Sequence, residues 1–91
     1  MSFAQTFVKD PDATLDYTLD WSDYLGGDEI ATSAWVVPEG LTKVSESSTT
    51  TLATVWLSGG AAFTTYRVTN RVTTVGGRED DRSVLIQVRE R

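Results

Sequence analysis

The chain has 91 residues, 40% hydrophobic and 23% charged, with a net charge of -5 and neither cysteine nor histidine. That length fits one domain spanning 1–91 and allows one core with a thin stability margin. The composition excludes disulfides and thiolate sites, removes the commonest metal ligand and general base, and makes a phosphate backbone a poor partner.

Met1 to Gln5 shows no basic stretch leading into an apolar run, so a secretory signal is not expected. No apolar run approaches the roughly 18 residues of a membrane span, so no membrane partner is expected either. Residues 1–8 carry Phe3 and Phe7 without rhythm. They read as a segment that either folds onto its own sheet or reaches into a neighbour as an N-terminal arm. Lys9-Asp10-Pro11-Asp12 reads as a turn, because proline fixes φ and aspartates bond nearby backbone.

"ATLDYTLDW" then alternates: Leu15, Tyr17, Leu19 and Trp21 against Asp16, Thr18 and Asp20, the pattern of a half-buried strand. Ser22 is placed to cap one helical turn that Gly26-Gly27 ends. "IATSAWVV" reads as a strand whose facing shifts between Ile30 and Trp35. Pro38-Glu39-Gly40 is a turn. "LTKVSESS" and "TLATVWLSG" read as two strands joined by a polar turn, and Gly59-Gly60 breaks the chain again.

"AFTTYRVTNRVTTV", from Ala62, is the longest strand predicted, with Tyr66, Val68, Asn70 and Val72 inward and Arg67, Thr69, Arg71 and Thr73 outward. Tyr66 is placed to tie its hydroxyl to upstream backbone, as a tyrosine near the start of the penultimate strand does in Ig-like sandwiches. Asn70 between two valines needs partners, and loop backbone near a bulge is the expected source. "GGREDDR" is a loop and "SVLIQVRE" the last strand. Six or seven short strands with turn signals between them predict an all-β fold, a small antiparallel Ig-like sandwich.

Charge is uneven: residues 1–45 hold eight acids and two lysines, residues 46–91 five acids and six arginines. Either the strand faces are solvated, or an acidic surface of one copy meets an arginine surface of the next. The aspartates from Asp10 to Asp28 lack the spacing of a calcium loop. Glu79, Asp80 and Asp81 read as a solvated loop tip rather than paired catalytic acids. The three Gly-Gly pairs match no phosphate loop, and the serines have no histidine. Neither catalysis nor a metal or other cofactor is expected.

Two strands look apolar on both sides. Trp56 opposes Val55 and Leu57, and Leu85 opposes Val84 and Ile86. A small sandwich has one inner face per sheet, so the outer apolar residues suggest a contact. Phe3, Phe7, Trp56, Leu85, Arg67 and Arg71 are the candidate interface residues.

Several phrases, "KDPDATLDYTLDW", "VWLSGG", "TTYRVTNRVTT" and "GREDDRSVLIQVRE", resemble a family of small tailed-bacteriophage proteins described as fibre-tail adaptors. Asp16 to Trp21, Val55 to Gly60, Thr69-Asn70-Arg71 and Asp80-Asp81-Arg82-Ser83 carry the resemblance most specifically. It implies a non-enzymatic Ig-like part of the virion that joins tail tube, hub or neck to fibres, made in the host cytoplasm. It also implies partners among other virion proteins and copies of the chain itself in a symmetric ring, with no nucleic acid. A capsid decoration protein is the alternative, and a carbohydrate-binding module a more distant one.

Overall fold

The computed structural model describes the backbone of residues 2–90 and the side chains of residues 5–90. Seven strands form two sheets: β1 (Ser2–Lys9), β2 (Leu15–Asp20), β3 (Ile30–Val36), β4 (Leu41–Ser48), β5 (Leu52–Gly59), β6 (Thr64–Thr74) and β7 (Glu79–Val88). One sheet has the order β1-β7-β6-β3, the other β2-β5-β4. The predicted all-β sandwich is therefore the fold. All pairings are antiparallel except β1 with β7, which is parallel. The antiparallel expectation misses this pair because an edge strand without alternation carries no signal for direction.

Two-residue periodicity builds the core. In β6, Tyr66, Val68, Asn70, Val72 and Thr74 are buried, while Arg67 and Arg71 are exposed. Tyr17 and Leu19 of β2, Ala53, Val55 and Leu57 of β5, and Val84, Ile86 and Val88 of β7 meet them between the sheets. Ile30 and Trp35 are both buried although five residues apart, because the ladder shifts between Ile30 and Thr32. That is the predicted change of facing, made by a bulge.

The one helical turn, α1 (Ser22–Leu25), begins differently from expectation. Trp21 is the N-cap residue, and no side chain caps the turn. Asp20 instead accepts a bond from the Ser22 amide at 2.9 Å. Ser22 is already helical and so sits one position too late to cap.

β3 is an edge of its sheet, and β4 blunts it. The Trp35 amide donates to Glu46 Oε1 and the Lys43 ammonium donates to the Trp35 carbonyl, each at 3.2 Å. Lys43 and Glu46 also pair with each other. Edge groups occupied in this way cannot template a foreign strand.

Candidate interaction surfaces

The long axis of the molecule is 41 Å, against 22 and 20 Å across, so it has two distinct ends. At the end where β2 leads into α1, two of the most specific sequence phrases stand side by side. The β6–β7 ladder pairs Thr69 with Ser83, Asn70 with Arg82, and Arg71 with Asp81. Asn70 is fully buried. Its Oδ1 accepts from the Trp21 indole N–H at 2.9 Å, and its Nδ2 donates to Ser33 Oγ at 2.9 Å and the Ala34 carbonyl at 3.1 Å. The expected loop partner is thus replaced by Trp21, at the junction of β2 and α1, and by β3. Each bond satisfies a group that would otherwise cost about 1–3 kcal/mol.

Arg82 lies over the Trp21 ring at 4.3 Å and reaches Asp23 at 3.5 Å. Trp21 and Tyr24 meet edge to face, 5.4 Å between centroids. Arg78 covers Tyr24 at 4.7 Å, donates to the Leu25 carbonyl at 2.7 Å and pairs with Asp28 at 3.3 Å. Asp28 also accepts from the Gly76 amide at 3.0 Å and the Glu29 amide at 2.8 Å. A Thr74 side-chain hydrogen bond, followed by those amides and Arg78, lowers its carboxyl to about 2. Arg78 and Arg82 therefore meet first-half aspartates of the same chain, and part of the charge asymmetry is resolved internally.

The candidate interface residues do not form one patch. Arg67, paired with Leu85, and Arg71, bonded to Asp81 at 3.3 Å, lie on the outer face of the β1-β7-β6-β3 sheet. Leu85 is half-buried there, with Thr6 as its β1 neighbour. Trp56 lies on the outer face of the other sheet, 41% exposed, between Asp16 and Ser45 and beside the bulged, exposed Val44. Phe7 is neither: it packs against the core with its ring 4.9 Å from Tyr17. The side chain of Phe3 lies outside the described residues. Trp21 and Trp35 are buried, which leaves no row of tryptophans for stacking on a sugar.

The opposite end holds what periodicity did not show. Lys9 is fully buried, its ammonium donating to the Asp10 carbonyl at 2.9 Å and the Gly59 carbonyl at 2.7 Å. Burial lowers its pKa against the pull of Asp10 and Asp12. Tyr66 makes the expected tie: its hydroxyl accepts from the Ala61 amide at 2.9 Å. A Cβ on Gly40 would come within 2.9 Å of the Tyr66 ring, at a φ of +106° that only glycine takes freely. The tie holds the loop in which Phe63 sits.

Phe63 is 88% exposed and has φ +62°, the only positive value among described non-glycine residues. Its amide donates to the Val88 carbonyl at 2.6 Å, which fixes the turn just before β6. A bulky side chain in this region costs about 1–3 kcal/mol. Reading the strand from Ala62 concealed it, because a Phe in a strand looks like core. The signal was the run Gly60-Ala61-Ala62 after β5, small residues with an aromatic at their tip.

Among the described residues, no three acidic, histidine or cysteine side chains gather as metal ligands. The arrangement offers two outer sheet faces and a projecting ring. Comparison with known proteins then decides the kinship. Residues 9–87 match the family model described as podophage GP4 fiber-tail adaptor protein gp77. The chain belongs to this family. No curated protein matches it. Solved structures share its fold at low identity. One is the solution structure of the PKD domain from KIAA 1837 protein, with TM-score 0.56 and 22% identity, covering 98% of this chain and 82% of that one. Another is a 2,6-sialyltransferase of Vibrionaceae Photobacterium sp. JT-ISH-224, with TM-score 0.62 and 13% identity. The match covers 99% of this chain but spans only 18% of the enzyme's length.

Proposed function

We propose that this chain is a non-enzymatic adaptor in the phage tail, set between the tail tube or hub and a tail fibre. It works in several copies arranged as a symmetric ring and is assembled in the host cytoplasm. The observation that carries this reading is the family match over residues 9–87, which takes in every strand from β2 to β6 and nearly all of β7. The surfaces support it. One outer face carries Trp56 with Asp16 and Asp20, the other Arg67, Arg71 and Leu85. A rigid module with two unlike faces suits a part that sits between neighbours.

Electron microscopy of the intact particle tests this directly. Density for a small two-sheet module is expected at the junction of tail and fibre, repeated with the symmetry of the tail. Density on the capsid surface instead, in hundreds of copies, would replace the adaptor role with decoration of the head.

A further inference from the structure

We propose that Phe63 is a preset aromatic anchor that inserts into an apolar socket with a basic rim on a partner protein other than a second copy of this chain. The inference rests on the adaptor reading for where that partner lies, in the tail. Three observations carry it. The ring is 88% exposed, more than any other large apolar side chain among the described residues, the next being Val75 and Val36. It stands on a backbone of positive φ that a glycine would occupy without strain. Its loop is pinned from both sides, by Tyr66 on Ala61 and by the Val88 carbonyl on Phe63 itself.

An aromatic held rigid before contact loses little freedom on binding, which is the property of an interface hot spot. Ala61 and Ala62 beside it are exposed and small, so a partner surface can close around the ring. The rim is acidic. Asp12, Glu39 and Glu90 are exposed at this end against Arg89, and Lys9 is sealed inside. A socket edged with lysine or arginine complements it. A second copy offers a poor host in the recess beside β6 and β7, which is lined by Arg71, Glu79, Asp80 and Asp81. That recess would set three carboxylates and a single arginine against the acidic end.

The test uses phage particles assembled without this chain, incubated with the purified full-length protein. Copies retained per particle are counted after washing. Wild type is expected to be retained, and Phe63→Gly to be retained at least about tenfold less. Phe63→Leu should keep much of the binding, and Glu39→Lys should weaken it several-fold. Phe63→Gly should melt at or above the wild-type temperature, which separates lost binding from lost folding. Phe63→Asn, also suited to this backbone, repeats the test should glycine loosen the loop. Retention of Phe63→Gly at the wild-type level overturns the anchor and leaves the adaptor reading standing. Failure of wild type to be retained overturns both. Sedimentation showing self-association that Phe63→Gly abolishes overturns the choice of partner.

Discussion

Trp21 and Phe63 sit near opposite ends of the same sandwich and are treated in opposite ways. The Trp21 indole is wholly buried, its N–H spent on Asn70 and its face covered by Arg82. The Phe63 ring is in solvent, on a backbone that resists it. One end lowers the free energy of the fold with every group it uses. The other stores about 1–3 kcal/mol of strain, a sizeable share of the roughly 5–15 kcal/mol that stabilises a small domain. Both ends lie within the matched residues 9–87, yet they do different physical work. The polar phrases that look most like a site, Asn70 with Asp81 and Arg82, are engaged within the chain. The ring most exposed to meet something else is a phenylalanine in a loop.

The largest expected effect tests the closed end. Trp21→Ala removes a buried indole and should cost about 3–5 kcal/mol in denaturant unfolding. Trp21→Phe keeps most of the ring but orphans Asn70 Oδ1, and should cost about 1–3 kcal/mol. A neutral Trp21→Phe would mean that the hydrogen bond across the sheets is dispensable, and the contrast between the ends would shrink to packing alone. Lys9→Met probes the other end in the same way. It should cost about 1–3 kcal/mol, because the Asp10 and Gly59 carbonyls lose the ammonium that joins them. Were Lys9→Met stabilising instead, as replacement of a buried charge by an apolar chain sometimes is, the anchor end would be strained in two places.

How much of this was readable follows from which forces act along the chain and which act across it. β2 and β6 were legible because burial on one face imposes alternation within a single strand. Asn70 was recognisable as anomalous, since a lone amide among valines breaks that alternation. Its partner was not, because Trp21 lies 49 residues away, just past the end of β2 in the facing sheet. Lys9 read as part of a turn. Its burial depends on a carbonyl 50 residues distant, and a carbonyl belongs to no particular residue type. Trp56 and Leu85 lie opposite the core faces of their strands, as their neighbours in sequence predict. That they belong to different sheets is a matter of topology, which local pattern does not contain. Phe63 was hidden for a simpler reason. The sign of φ is not written in the identity of a phenylalanine, and a strand boundary placed at Ala62 rather than Thr64 turned a projecting ring into an ordinary strand residue.

Tyr66 links the two themes, since its buried ring is core and its hydroxyl steadies the anchor loop. Tyr66→Ala should cost about 3–5 kcal/mol. Tyr66→Phe should cost only about 0.5–1.5 kcal/mol. The informative result is the second one combined with particle retention. If the hydroxyl holds Phe63 in place, Tyr66→Phe weakens retention by more than its small loss of stability accounts for. Equal retention would show that the Val88 carbonyl fixes the loop alone.

The smallest effect separates the ends by pH. Asp28 at the closed end has its carboxyl lowered to about 2 from the ordinary 3.8, first by Thr74 and then by the Glu29 and Gly76 amides and Arg78. A carboxyl depressed on folding binds its proton less readily in the native state than in the unfolded one. Its contribution is therefore complete above about pH 4 and is lost as pH falls through about 2. Stability measured from pH 5 to 2 should decline, and Asp28→Asn should flatten that decline. Phe63→Gly should leave its slope alone and shift the whole curve upward by at most about 1 kcal/mol, because relief of strain is offset by the freer unfolded chain of glycine. Combined, the two changes should add, as distant and unconnected sites do. A marked departure from additivity would show that the ends are coupled through β6, and that docking at Phe63 is felt at the Trp21 network.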